Sequence, residues 1–199
     1  MKKVLIIGAT GSLGRTLTNQ LISNDNYELT LFARSATSLN WDPNNVKLID
    51  GDVLNQEDLA SGLKNQDAVF VALSGPLSQM ATSIVNALQA YPSERLIFIS
   101  SMGIYNEIPA SVGAGGNLAN NPILQPYRDA ADIVADSGLN YTVIRPGWFD
   151  NGNDEYEVTS KTEPFGGHDV SRAAIADLVT KIIDNPDLYN QTSIGINRP

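Results

Sequence analysis

Apolar runs and polar stretches alternate along the whole chain, and the spacing of the apolar residues changes from one stretch to the next. Val4-Leu5-Ile6-Ile7 is a continuous, largely β-branched apolar run, the mark of a strand buried on both faces. Segments 28–33, 46–50, 68–73, 95–100, 141–145 and 192–196 read as further strands, of which 68–73 is the most strongly apolar. Between them, segments 12–24, 56–63, 78–90, 123–137 and 170–185 carry apolar residues at helical spacing. Gln56-Glu57-Asp58 supplies negative charge to a first helical turn, and Gly138 stops another helix. This alternation predicts parallel strands joined by crossover helices, that is, an α/β Rossmann fold with a doubly wound parallel β-sheet and helices on both faces. No repeat, linker or low-complexity run divides the chain, so residues 1–199 read as one domain. Two polar, glycine-bearing stretches, 101–121 and 147–168, each follow a strand. Ligands of such sheets bind beyond the carboxyl ends of the strands, which makes both stretches candidate substrate lids.

The turn after the first strand is Gly8-Ala9-Thr10-Gly11-Ser12-Leu13-Gly14. One glycine permits a tight turn, one admits a pyrophosphate against backbone N–H groups, and one lets the helix pack on the sheet. The positive end of the helix dipole then faces the phosphates. Gly8, Thr10, Gly11, Ser12, Leu13 and Gly14 are accordingly candidate dinucleotide ligands. The second strand runs into Arg34, with Ser35 and Ser38 beside it. An acid at that place suits the ribose 2′-hydroxyl of NAD, whereas an arginine suits the 2′-phosphate of NADP. The expectation is NADP, with NAD possible; a solvated surface arginine is the alternative.

Composition narrows the field. The chain is 42% hydrophobic and 18% charged, as in a globular protein large enough for a three-layer core. Its net charge of −9, with no basic cluster, argues against a nucleic-acid partner. It has no cysteine, which excludes disulfides, thiolate zinc sites and thiol catalysis. A lone histidine, His168, gives no metal constellation. It flanks Asp169, which reads as the N-cap of the last helix. No apolar run reaches membrane-spanning length and no signal peptide precedes the first strand, so a cytoplasmic home without membrane contact is expected. Monomer and homodimer both remain open.

Taken together, the glycine turn, Gly51-Asp52-Val53, Gln66-Asp67-Ala68-Val69-Phe70-Val71, Ile99-Ser100-Ser101, Ala130-Ala131-Asp132 and the segment Ser137 through Gly147 carry a resemblance. The chain resembles the atypical short-chain dehydrogenase/reductase group, in particular the small NAD(P)H-binding proteins related to NmrA and to flavin and biliverdin-IXβ reductases. The resemblance implies that Asp52 and Val53 meet the adenine, and that Ala72, Leu73 and Ser74 line the path from ribose to nicotinamide. It places Ser100 and Ser101 beside the nicotinamide ribose and the reacting carbon, and Pro146 and Gly147 around the carboxamide. Read singly, Asp52 also serves as a turn acid and Pro146-Gly147 as a loop opener.

The chain departs from its relatives at the proton donor. Many of them carry Tyr-x-x-x-Lys, in which the ammonium lowers the phenol pKa. Alignment on Ala130-Ala131-Asp132 puts Leu124 in the tyrosine place and Arg128 in the lysine place. Arg128 thereby joins the candidate cofactor ligands, while Ser101 and Tyr127 are the candidate catalytic residues. Tyr105 is a further phenol near the same strand end; for both tyrosines, packing with an outward hydroxyl is the alternative. The expected function is an NADP-preferring reductase of a small acceptor such as a flavin, quinone or carbonyl compound, with the proton drawn from solvent. A non-catalytic NADP(H) sensor fits the lost acid equally well, and an epimerase or dehydratase fits less well.

Overall fold

The computed structural model describes residues 1–199 apart from 43, 45 and 94. Along the first two thirds of the chain, β1 (Lys2–Ile7), α1 (Ser12–Leu21), β2 (Tyr27–Ala33) and β3 (Val46–Asp50) are followed by α2 (Gln56–Leu63) and β4 (Ala68–Val71). Then come α3 (Leu77–Ala90), β5 (Arg95–Ile99), α4 (Gln125–Ala135) and β6 (Tyr141–Pro146). The remainder holds β7 (Trp148–Asp150), β8 (Glu157–Thr159), β9 (Asp169–Ser171), α5 (Arg172–Asp184) and β10 (Thr192–Asn197). Eight strands form one sheet in the order β3-β2-β1-β4-β5-β6-β10-β8, parallel except for the last pair. The strand order reverses between β1 and β4, which pair directly with Val4 opposite Ala68. The expected Rossmann fold with a doubly wound sheet is therefore what the chain adopts.

Strand alternation divides the core between the two faces. Val4 and Ile6 of β1 point with Phe70 of β4 toward α1 and α5. Leu5 and Ile7 point the other way, with Val69 and Val71, toward α2, α3 and α4. Both faces of the central strands are thus closed off from water, and the polar ligand side is confined to the strand ends.

Helix ends follow local chemistry. Asn55 caps α2, its side chain accepting from the amides of Glu57 at 2.9 Å and Asp58 at 3.2 Å. Asp169 is not the cap of the last helix. It lies in β9, and Ser171 Oγ accepts from the Ala174 amide at 2.9 Å, so α5 starts at Arg172 rather than 170. The helix expected over 123–137 begins as a 3₁₀ turn, Pro122–Leu124, before α4.

The stretch 147–168, expected to be irregular, holds β7 and β8. β8 adds an antiparallel edge to β10, with Val158 opposite Ile196, while β7 pairs with β9 in a separate parallel ribbon. Three-residue strands are too short to display a two-residue period, which is why the sequence pattern does not announce them. Among the described residues, no helix is long and apolar enough to cross a membrane.

Candidate functional site

The site begins where β1 ends. Gly8 sits at φ 89°, in the left-handed region, and a Cβ there would overlap the Ala72 carbonyl oxygen; only glycine fits between the ends of β1 and β4. A Cβ on Gly14 would come within 2.8 Å of Ala9 Cα, so this glycine lets α1 lie close over the turn. The turn is closed by hydrogen bonds from the Gly8 amide to the Phe32 carbonyl (3.0 Å) and from the Gly11 amide to the Gly8 carbonyl (3.0 Å). Gly11 is the N-cap of α1 without a side chain to satisfy the first helical amides. The N–H groups of the first turn therefore lack intrahelical partners and face outward with the positive helix end. An added methyl group would fill this cradle, and a pyrophosphate fits it.

Two cavities flank the turn. The outer cleft, about 470 Å³, runs between the ends of β1, β2, β3 and β4. Gly8, Thr10, Gly11, Arg34, Asp52, Val53, Ala72, Leu73 and Ser74 all line it. Arg34 is exposed on its rim and makes no side-chain hydrogen bond or ion pair among the described residues. The loop that carries it is held from the neighbouring strand: Asp50 accepts from the Thr37 amide (2.8 Å) and hydroxyl (2.6 Å), bonds that keep the Asp50 carboxyl below its ordinary range. Asp52 is an exposed turn acid, with Oδ1 accepting from the Leu54 amide at 2.9 Å. Among the described residues its second oxygen has no side-chain hydrogen bond. Arg15, which the sequence pattern did not single out, donates from Nε to the Thr10 carbonyl at 2.9 Å and adds a second guanidinium at the glycine turn. A lone basic residue directly after the last turn glycine was the available signal.

The inner cavity, about 270 Å³, lies on the other side of the turn. It is lined by Ser12, Leu13, Gly14, Ser74, Ser100, Tyr127 and Phe149, among others. The hydroxyl of Ser100 donates to the Tyr127 carbonyl at 3.2 Å, joining the end of β5 to α4. Four of the sequence candidates fall outside the walls of both cavities. Ser101 Oγ donates to the Met102 carbonyl at 3.0 Å. Arg128 is tied to Asp132 at 2.7 Å and to the Ile104 carbonyl at 3.3 Å. Pro146 and Gly147 are buried: the Gly147 amide donates to the Ile196 carbonyl at 2.9 Å, and its α-carbon backs onto the His168 main chain.

Behind the inner cavity lies a buried ion pair that the sequence pattern did not reveal. Arg145, fully buried in β6, bonds Glu107 of the 101–121 loop, Ser193 (3.0 Å) and the Ser160 carbonyl (3.0 Å). Glu107 also accepts from the amides of Gly103 (3.1 Å) and Tyr105 (2.9 Å). The Tyr105 ring is surrounded by cations: Lys161 at 4.5 Å, Arg128 at 4.7 Å and Arg145 at 5.2 Å from its centroid. Burial nevertheless holds the Tyr105 phenol above its ordinary range, against the hydrogen bond from Ser193 and the two arginines. His168 pairs with Asp169 at 2.7 Å and stacks on Trp148, with ring centroids 6.1 Å apart. Among the described residues, no group of three or more His, Cys, Asp or Glu side chains is placed to hold a metal.

A parallel sheet with its order reversed beside β1, and a glycine cradle at that reversal opening into two clefts, define a Rossmann dinucleotide-binding protein. Residues 8–186 match the family model described as NAD(P)H-binding, and the chain belongs to that family. It is similar to a Rossmann-fold NAD(P)-binding family protein from Shigella flexneri, at 39% identity and TM-score 0.85, covering 100% of this chain and 94% of that one. A short-chain dehydrogenase/reductase from Veillonella parvula in complex with NADP superposes at TM-score 0.90 and 28% identity, covering 100% of this chain and 95% of that one. The (4-alkanoyl-5-oxo-2,5-dihydrofuran-3-yl)methyl phosphate reductase of Streptomyces griseus is 27% identical over 146 residues, 73% of this chain and 48% of that protein. The chain spans less than half the length of the first curated relatives it matches.

Proposed function

We propose that the protein is an NADP(H)-dependent reductase of a small acceptor such as a flavin, quinone or carbonyl compound. The observation that carries the cofactor preference is Arg34, an unpaired guanidinium on the rim of the outer cleft at the end of β2. A guanidinium there matches a 2′-phosphate in charge and geometry. The NADP complex of the Veillonella neighbour and the printed activity of the Streptomyces relative support the same reading.

In this reading the first-turn amides of α1 and the glycine cradle hold the pyrophosphate, and Arg15 adds positive charge beside it. Asp52 offers its free oxygen to the adenine amine, and Val53 packs on the ring. Ala72, Leu73, Ser74 and Ser100 line the path to the inner cavity, where the acceptor enters. When bound, NADPH supplies a hydride. In this reading the chain orients donor and acceptor and screens them from water, and the proton comes from solvent. A second reading, a non-catalytic NADP(H) sensor, is favoured by one observation: Arg128, in the lysine place, is locked to Asp132 and Ile104 away from the cavity.

Titration of the purified protein with NADPH and NADH, followed by assay with flavin, quinone and aldehyde acceptors, tests both. Arg34→Glu is expected to weaken NADPH binding by tenfold or more, the order of a lost charge-assisted contact, with NADH changed far less. Equal weakening of the two cofactors overturns the 2′-phosphate assignment. Tight NADPH binding without turnover on any acceptor favours the sensor.

A further inference from the structure

The chain's single Asn-Gly pair, Asn151-Gly152, directly follows β7, and both residues are exposed. Such a pair can react with itself, because glycine carries no Cβ to keep its main-chain nitrogen from the asparagine side-chain carbon. Here the neighbours act on both reacting groups. Arg172 Nη1 donates to Asn151 Oδ1 at 3.1 Å and to the Asp150 carbonyl at 3.0 Å, so a cation polarises the carbonyl that would be attacked. The attacking nitrogen is restrained: the Gly152 amide donates to Asp150 Oδ1 at 2.9 Å, closing a local side-chain turn. Arg198 in turn holds both Asp150 oxygens, at 2.7 and 3.0 Å. The fold also demands glycine at this place, since a Cβ at 152 would stand 2.5 Å from Arg198 Nη2. The electrophile is primed while the nucleophile is locked.

We propose that Asn151-Gly152 is a self-modification site, and that the Arg198–Asp150 clamp sets its rate. In the first step the Gly152 nitrogen attacks Asn151 Cγ. A new N–C bond forms, and the bond from Cγ to the side-chain nitrogen breaks. That nitrogen leaves as ammonia, taking the Gly152 amide proton with it. Water then opens the cyclic imide at either carbonyl, leaving aspartate or isoaspartate at 151, with nothing oxidised or reduced. Ring closure requires the Gly152 amide to give up its proton and to turn away from Asp150. A carboxylate that accepts from this N–H opposes both, because a fixed negative charge beside it disfavours the amide anion. Loss of the clamp frees Asp150, and with it the nitrogen. The product faces Arg172, whose guanidinium lies 5.5 Å from the Phe149 ring centroid. The added charge, or the extra main-chain carbon of isoaspartate, is therefore felt at a wall of the inner cavity. A molecule records its age, and any loosening of β7 from Arg198, at residue 151, whatever the cavities bind.

For the test, the parent protein, Arg198→Ala and Arg198→Lys are held in warm, mildly alkaline buffer beside a synthetic peptide of residues 146–157. Peptide mass mapping follows the one-dalton gain at residue 151, and enzymatic methylation follows isoaspartate. The parent is expected to convert more slowly than the peptide. Arg198→Ala should convert at least about fivefold faster than the parent, the factor that one ordinary hydrogen bond carries. Arg198→Lys, which keeps a cation on Asp150, should fall between the two. Melting temperatures are taken alongside, and Arg198→Lys decides the matter if Arg198→Ala melts below the incubation temperature. Asn151→Gln, with a side chain one methylene longer, should show no gain at this position. Absence of conversion in protein and peptide alike removes the site. Equal rates in the parent and the Arg198 variants, or a parent as fast as the peptide, removes the clamp from its control.

Discussion

Leu124, which the resemblance sets in the tyrosine place, has the surroundings of a core residue. It is 8% exposed, and its Cδ1 lies 3.2 Å from where a Cβ on Gly103 would stand. A phenol at this position has no room and no activating lysine. Leu124→Tyr is therefore expected to cost about 1–3 kcal/mol in overpacking, to lower the melting temperature by several degrees, and to bring little aldehyde reduction. Calorimetry and an NADPH-oxidation assay with aldehydes check both halves; a large gain in aldehyde turnover would show that the residue at 124 alone limits aldehyde reduction. Residue roles were legible where a residue type answers a fixed backbone need. Gly8, at φ 89° with no space for a Cβ against Ala72, stands at the place that the strand-turn-helix pattern defines. Arg15 and Phe149 were not legible, because nothing in a linear pattern says that a basic residue folds back onto Thr10 or that a short strand turns its aromatic toward a cavity.

Among the elements, the loop 101–121 is fastened to the sheet through a buried ion pair. Glu107 binds two of its amides and, through Arg145, fastens the loop to β6, β10 and the chain at Ser160. Removal of one partner strands a buried charge. Glu107→Gln is expected to cost about 3–5 kcal/mol by urea titration, whereas Glu107→Leu combined with Arg145→Met should recover much of that loss. Equal destabilisation by the single and double variants would show that the pair fixes geometry rather than cancelling charge. Arg145 was visible as a lone cation in an apolar strand, but its partner lies in a loop whose path no periodicity describes. The same reason hid β7, β8 and β9. Their register comes from tertiary pairing, as at Val158 and Ile196, while β1, β4 and the helices at 56–63 and 78–90 carry enough apolar periodicity to be read alone. Asp169 read as a cap because capping chemistry is local; Ser171 takes the role because Asp169–Ser171 pairs as β9 with β7.

For the whole molecule, an excess of carboxylates sets the response to acid. Thr37's hydrogen bonds hold the Asp50 carboxyl below its ordinary range, and the hydrogen bond with Arg198 does the same for Asp150. A carboxyl with a depressed folded pKa binds its proton more weakly in the native state than in the unfolded chain. Its contribution to stability is full above the ordinary carboxylate range, roughly pH 4, and is lost as pH falls through the depressed value. Urea midpoints are expected to hold steady near neutrality and to decline below about pH 4, with a shallower decline in Asp150→Asn. An Asp150→Asn profile that coincides with the parent's would remove Asp150 from the account.

The Arg198–Asp150 pair also bears on the order in which the molecule assembles. Arg198 grips Asp150 at 2.7 Å, so β7, the strand that carries Phe149, is clamped by a residue far along the chain, and Asn197 grips Glu157 of β8 at 2.8 Å. The outer cleft, by contrast, draws only on residues 7–80. Segments near in sequence meet sooner than distant ones. The cleft lining is thus a local feature of the chain, whereas the strand beside the inner cavity is held by a contact 48 residues away; pulse-labelled hydrogen exchange is expected to protect β1 and β4 before β7.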